Sequence, residues 1–521
     1  MNFFLLLRTI IHLRPIQIVY QIKNRLLSRK FKPYKCYKEI KGCKYLSFIT
    51  KYPCYADGVF SFLNIKSTFS SWNEMQYGIL WAYNLNYMDW LLQPEMSVEE
   101  GSRWIDGFIA ALSENKVGLD PYPTALRGVN WIKFISGCRD QISNARLIWW
   151  TDSLYAQYKL LERKLEYHLL GNHLLEDAYS LFIASIYFSD KKFYKKSVNL
   201  LYRELNEQIL PDGAHYELSP MYHCILLDRL LDCYNFSINN NRFPDQNKIT
   251  SFLQEKAIRM LGYLQNILFT DGTYPLFNDS AFGIAPIPQE LFRYADRVGL
   301  QWQPLEMKNC GYRRLSNHNL EVFVDIGNIM ASYQPGHTHA DTFNYELRVN
   351  GKPFIIDTGI STYEKNDRRQ YERSTVAHNT VSINGTDSSE VWGGFRIGRR
   401  AKVHLIEETP YCIMAEHNGY RSCLHCRAFK MNNDEFVVMD GLSSLILAES
   451  YIHLAPNVEV LSVSETCIVT SCAIITLKGA ESVRLVLERV SMEYNCFADS
   501  HTVVMTFHNR MEYSIKPTNY K

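Results

Sequence analysis

Four short polar clusters hold the residue types that move protons or bind ions. The first, Gly171-Asn172-His173-Leu-Leu-Glu176-Asp177, sits in a helical pattern. His173 and Glu176 are three residues apart and share a helix face, so the carboxylate is placed to fix the imidazole tautomer. An uncharged amide beside an oriented histidine is a device for holding a carboxylate, although a capped helix start with a surface histidine is the commoner meaning of such a string. The second cluster, Asp212-Gly213-Ala-His215-Tyr216-Glu217-Leu-Ser219-Pro220-Met-Tyr222-His223, is more polar and aromatic than a helix connection requires. Its plain alternative is a tyrosine with a core-packed ring and a backbone-bonded hydroxyl. The third is Gly336-His337-Thr338-His339-Ala340-Asp341 and the fourth Ala377-His378-Asn379-Thr380, with Asp357 between them. Two histidines and one aspartate on neighbouring strands make a three-ligand site suited to zinc or a similar divalent ion. Structural histidines in a sheet are the alternative.

Two kinds of element must position these clusters. From about residue 65 to 300, apolar residues recur at three- and four-residue spacing, as in SLYAQYKLLERKLEYHLL, EDAYSLFIASIYF and QEKAIRMLGYLQNILF, which predicts successive helix hairpins. Leu-Pro-Asp-Gly at 210–213 and Pro121-Tyr-Pro123 mark connections. After roughly Cys310 the texture becomes alternating and β-branched, in LEVFVDIG, NYELRV, KPFIID, NTVSIN, EFVVMD, VRLVLERV and TVVMTF, which predicts an antiparallel sandwich. Asn350-Gly351 is a two-residue hairpin signal, and Asn384-Gly385 and Asp440-Gly441 mark further turns. Three regions follow: 1–64, a basic helix and linker; 65–308, helical; 309–521, a β-sandwich.

With 521 residues, the chain exceeds one ordinary domain, and 46% hydrophobic against 21% charged residues exclude disorder, collagen and coiled coil. Lys plus Arg number 56 and Asp plus Glu 54, so no global field recruits nucleic acid. Residues 1–45 hold eleven Lys and Arg against the single acid Glu39, which leaves the rest of the chain net acidic. This arm reads as a solvated amphipathic helix with its linker, or as a contact for a membrane surface or an acidic polymer. No apolar run reaches the 18 or so residues that span a bilayer. Arg8 and Arg14 interrupt the opening apolar stretch, which argues against a cleavable signal peptide. Thirteen cysteines, an odd number, predict mostly free thiols, and Cys423-Leu-His425-Cys426 reads as neighbouring strand residues. Phosphate-binding glycine loops and H-E-x-x-H are absent from the sequence.

Taken in order, GNHLLEDA, DGAHYELSPMYH, PGHTHADTFNYELRVNGKPFIIDTGISTYE and YERSTVAHNTVSING resemble the heparinase II/III-like polysaccharide lyases. HLRPIQIVYQIKNRLL and LWAYNLNYMDWL are also similar to the helical half of that family. The resemblance implies an N-terminal incomplete (α/α) toroid followed by a C-terminal antiparallel β-sandwich, with a cleft between them. It further implies β-elimination: the C5 proton of a uronic acid is removed, the 4-linked sugar departs, and no water is consumed. By position Asn172 resembles the amide that neutralises the uronate carboxylate, with His173 and Glu176 in the same pocket wall. Tyr222 matches the tyrosine that acts as acid and, for one stereochemistry, also as base. His337 matches the histidine that serves as base for the other or positions the carboxylate. His339, Asp357 and His378 resemble the ligands of a divalent ion, usually zinc, read as structural rather than catalytic. Tyr83, Asn84, Arg127, Trp131, Tyr363 and Arg373 are the candidates to line sugar subsites.

The net-acidic body points away from densely sulfated polymers and toward a less charged bacterial uronate chain. A glycoside hydrolase on a similar toroid and a non-catalytic carbohydrate-binding protein of the same fold are the rival readings. A hydrolase requires two carboxylates flanking the bond. The resemblance places the protein in the periplasm or cell envelope, while the lack of a readable signal peptide leaves the cytoplasm open.

Overall fold

The computed structural model describes residues 3–26, 30–37, 40 and 42–518. Arg29, Lys38, Glu39 and Lys41 of the basic arm lie outside these residues. Helices α1 (Phe3–Ile10) and α2 (Pro15–Leu26) lead the chain, and a small antiparallel sheet spans Tyr55–Thr68. The helical region then follows: α3 (Ile79–Tyr87), α4 (Val98–Ala110), α5 (Pro121–Gly137), α6 (Asn144–Lys164), α7 (Gly171–Phe188), α8 (Lys191–Gln208), α9 (Pro220–Asn239), α10 (Gln246–Asn266) and α11 (Pro288–Arg297).

Pro121 and Pro123 open α5 rather than break the chain, because a proline in the first turn forfeits only an N–H that has no helical partner. Every residue of α7 except His173 is buried, so this is an interior helix and Asn172, Glu176 and Asp177 face protein on all sides. Leu210-Pro-Asp-Gly213 is a turn as expected. Gly213 has φ 87° there, and an added Cβ would lie 2.1 Å from the Arg259 carbonyl oxygen. Only glycine fits such a position.

The sandwich contains an eight-stranded antiparallel sheet running from Val403–Thr409 to Val460–Val463, and two four-stranded sheets. Asn350-Gly351 (φ 51° and 73°) joins strands Tyr345–Val349 and Lys352–Ile355, and Asn384-Gly385 (φ 50° and 63°) follows strand Val381–Ile383, both as expected. Asp440-Gly441 does not turn. Both residues lie inside strand Phe436–Leu442, where Asp440 accepts two hydrogen bonds from Arg427 and one from His425. A buried ion pair across neighbouring strands overrides the local turn preference of Asp-Gly.

The two halves share a core. Phe323, Tyr333, Ile360 and Tyr494 of the second half join the same apolar cluster as the toroid helices. Backbone bonds stitch the seam, including Asp279 N to His337 O at 3.0 Å and Phe282 N to Met492 O at 2.8 Å. The first two helices clamp both halves. Arg8 pairs with Glu390 of the sandwich, Arg14 with Glu207 of the toroid, and the buried Gln17 amide donates to Leu169 O and Tyr333 O.

Candidate active site

The four clusters converge at the seam. Asn172, in the first turn of α7, is fixed by Glu217. Its backbone N–H donates to Oε1 at 2.9 Å and its Nδ2 to Oε2 at 2.8 Å. The same Nδ2 lies 3.3 Å from His337 Nε2, and Asn172 Oδ1 is buried without a partner. Such an orphaned acceptor in a polar pocket is where a ligand donor or a water would bind. Gly171 precedes it at φ 60°, and a Cβ there would stand 2.6 Å from Glu217 Oε1, so glycine is what lets Glu217 approach.

His337 is held on its other edge. Its Nδ1 is 2.8 Å from Asp279 Oδ2, and Asp279 Oδ1 lies 2.8 Å from His339 Nε2. Arg369 meets both oxygens of Asp279. Burial opposes ionisation of Asp279, but the Arg369 guanidinium and the two imidazoles hold its carboxyl well below the usual range. Asp279 therefore only accepts, both histidines donate to it, and His337 Nε2 is directed at Asn172 and at Glu217 Oε2, 3.6 Å away.

Tyr222 lies in the first turn of α9. Pro220 opens that helix and Ser219 caps it, accepting the Tyr222 N–H at 3.2 Å. Ser219 also donates to Asp279 O at 2.6 Å, which ties the helix start to the segment carrying Asp279. The Tyr222 ring stacks on His337 with centroids 3.8 Å apart, and its oxygen accepts from the Tyr363 hydroxyl at 3.2 Å. Burial raises the Tyr222 phenol above its ordinary value, so it rests neutral with its own proton directed away from Tyr363.

His173 is oriented by Glu166 at 3.1 Å, not by Glu176. Burial works to lower the pKa of its ring, but Glu166 prevails and the net shift is upward. Glu176 instead lies inside, 4.0 Å from Arg229, with burial pushing its carboxyl up to about 8. The i, i+3 spacing places both side chains on one helix face, but the neighbouring elements decide which carboxylate the imidazole meets.

The subsite candidates divide. Tyr363 lies against Tyr222, its hydroxyl donating to the Tyr222 oxygen at 3.2 Å. Tyr83 and Asn84 are half-buried, with the Tyr83 hydroxyl donating to Asp120 at 3.0 Å and Asn84 Nδ2 to Leu80 O at 2.8 Å. Arg127, Trp131 and Arg373 are fully buried and line no sugar subsite. Arg127 bonds Gln157 and the Asn86 carbonyl, and burial brings its pKa down to about 9. Trp131 packs edge-on to Phe108, and Arg373 donates to Thr338 O beside the third cluster. Their aromatic and basic types suggested a platform, but they are core and scaffold.

His339, Asp357 and His378 come together without forming a ready ligand set. His378 Nδ1 hydrogen-bonds Asp357 Oδ2 at 2.7 Å, and the His339 and His378 ring centroids are 5.3 Å apart. Among the described residues, no three His, Cys, Asp or Glu side chains are arranged to hold a metal ion. His339 Nδ1, His378 Nε2 and Asp341 Oδ2 are nevertheless buried without partners. Burial brings His339 down to about 3, so its ring is neutral with a lone pair on Nδ1. This donor chemistry fits a divalent ion.

Sequence reasoning did not assign Glu217, Asp279, Arg369 or Glu166. Glu217 lay within the second polar turn, whereas Asp279, in Phe-Asn-Asp-Ser, carried no local signal.

A helical toroid sealed to an antiparallel sandwich, with an amide, a phenol and an imidazole meeting at the seam, is a fold-and-site class in itself. The family descriptions Heparinase II/III N-terminus and Heparinase II/III-like, C-terminal, match residues 130–295 and 301–516. The chain belongs to this heparinase II/III-like family. It is 25% identical over 316 residues to a heparin-sulfate lyase of Bacteroides stercoris, covering 53% of this chain and 44% of that protein. It is also 25% identical over 242 residues to a heparin-sulfate lyase of Pedobacter heparinus, covering 41% and 36%. The matched regions thus span less than half the length of these relatives. The fold is shared with a crystal structure of heparinase III, with TM-score 0.66 and 17% identity over 90% of this chain and 81% of that one. It is shared too with a chondroitin AC lyase of Streptomyces coelicolor, with TM-score 0.52 and 10% identity over 85% and 74%.

Proposed function

We propose that this protein is a polysaccharide lyase that cleaves a uronate-containing polymer by β-elimination. The observation that carries this reading is the convergence of Asn172, Tyr222 and His337 from three separate elements onto one point of the seam. The C5 proton of a uronate is a weak acid, because its loss places further negative charge beside a carboxylate. Donors fixed where that charge develops lower the barrier. The Asn172 amide, pre-oriented by Glu217, supplies such a donor through its second Nδ2 hydrogen, which faces His337 Nε2 at 3.3 Å and would pass to the substrate carboxylate. With Nδ1–H given to Asp279, His337 presents Nε2 as proton acceptor. The neutral Tyr222 phenol, its oxygen already accepting from Tyr363, donates its proton to the departing O4.

The relatives named heparin-sulfate lyases support a uronate polymer as substrate. A lightly charged one is favoured, because the guanidinium groups at the centre are already matched: Arg369 by Asp279 and Arg229 by Asp228 and Asp232. We assign the reaction to the periplasm or cell envelope, by family membership. A divalent ion, zinc by its donor set, is assigned to His339, Asp357 and His378, where it would brace the strands beside His337. The orphaned imidazole nitrogens support this role.

Incubation with a panel of uronate polysaccharides in heavy-oxygen water tests the reaction. The expected product absorbs in the ultraviolet through a C4–C5 double bond and carries no solvent oxygen. Label at the cleaved anomeric carbon would establish hydrolysis instead.

A further inference from the structure

Helix α2 presents the wrong face to solvent for a solvated amphipathic helix. Its inward side carries the buried Gln17 and the half-buried Ile16 and Tyr20. At about 100° per residue, Ile18, Val19, Ile22 and Leu26 fall together in an arc of roughly 100° on the opposite side. They are 40%, 57%, 54% and 77% exposed. Lys23 and Arg25 flank that arc, one on each side, and both are exposed. The neighbouring α1 and its following turn add Leu7, Ile10 and Ile11, also exposed. Lys30, Lys32 and Lys35 then continue the basic character on the exposed segment beyond α2. Exposed apolar helix faces flanked by cations are not the surface a soluble polymer requires, and aliphatic groups give no purchase on a sugar acid.

We propose that the solvent face of α1 and α2 docks on an anionic lipid bilayer. The helices would lie in the interfacial plane with their aliphatic side chains among the acyl boundary and the flanking lysines and arginine at the headgroups. Charge complementarity selects this occupant: Lys23, Arg25, Lys30, Lys32 and Lys35 are exposed on and beyond α2, and the first 45 residues hold a single acid in sequence. Arg8 and Arg14 are engaged with Glu390 and Glu207, so docking would leave intact the ion pairs that fasten these helices to both halves of the molecule. The clamp would thereby hold the whole molecule, cleft included, at the membrane surface. No helix among the described residues is long and apolar enough to cross a membrane, which is consistent with a surface-lying mode. This proposal does not rest on the lyase reading.

The test is co-sedimentation of the full chain with vesicles of pure phosphatidylcholine and of equal phosphatidylcholine and phosphatidylglycerol. Binding to the anionic vesicles is expected, falling about tenfold or more in the triple variant I18S/I22S/L26S and in K23E/R25E. Thermal unfolding should be unchanged in both, since these side chains face solvent. The proposal is overturned if the full chain ignores both vesicle types or if the triple variant binds as the parent does. It is equally overturned if sedimentation velocity shows a dimer that the triple variant converts to monomer while vesicle binding is absent.

Discussion

Replacing Asp279 by asparagine removes the charge on which three cationic or polar groups converge. The carboxylate is fully buried and meets Arg369 through both oxygens, His337 Nδ1 at 2.8 Å and His339 Nε2 at 2.8 Å. Asparagine keeps the shape but supplies one acceptor and one donor where four donors point. Arg369, also fully buried, loses its counter-charge. Removing one partner of a buried pair costs about 3–5 kcal/mol. For a domain of about 150–250 residues each kcal/mol shifts the melting temperature by about 2–4 °C, so a fall of roughly 6–20 °C is expected. The chemistry should suffer separately, because His337 no longer has a fixed donor edge and its Nε2 is no longer reserved for the substrate. Acid–base catalysis of this kind contributes about 10²–10⁴-fold, and kcat should fall within that range while KM changes little. The assay pairs calorimetric unfolding with initial rates of ultraviolet-absorbing product at a temperature where the variant is folded. A D279N protein with an unchanged melting temperature and a rate within a few-fold of the parent would refute the assignment of Asp279 as the positioning residue.

Tyr222→Phe should lower kcat by about 10²–10⁴ with KM within a small factor, since the hydroxyl acts only in the transition state. If steady-state rates show substantial activity instead, the proton is carried by another group, and Tyr363 at 3.2 Å is the nearest phenol shown. Glu176 is the pH-sensitive case. Its carboxyl is pushed from 4.5 up to about 8, so the folded state binds more protons than the unfolded state across that interval, and stability falls as pH rises through it. Melting curves of Glu176→Gln should lose this slope and lie above the parent at pH 8; parallel curves would show that Glu176 is ionised in the fold. For the metal, elemental analysis should find about one divalent ion per chain, and its removal should lower the melting temperature by mass action. His378→Ala should prevent loading, whereas His337→Ala should abolish turnover with the ion retained. Active, metal-free protein of unaltered stability would reject the site.

Periodicity alone distinguished the two halves, because a 3.6-residue apolar repeat and a two-residue alternation are properties of each segment by itself. The helical stretch around α7 and the Asn350-Gly351 hairpin were legible for this reason. Asn172, Tyr222 and His337 were singled out through the order of their motifs, which a linear string preserves, and the fold brings the three side chains together. What the string does not contain is distance. Asp279 lies 58 residues before His337 and has an unremarkable local sequence, yet the seam places it 2.8 Å from that ring. Arg127, Trp131 and Arg373 have the residue types of a sugar platform, and only packing showed that α5 and the strands around the third cluster bury them completely. Asp440-Gly441 reads as a turn until Arg427 on the adjacent strand supplies an ion pair stronger than the local preference. Local propensity and periodicity act within a few residues along the chain and are written in it. Burial, charge pairing and the choice of partner for each imidazole act through space, and for this protein only the sealing of toroid against sandwich decided them.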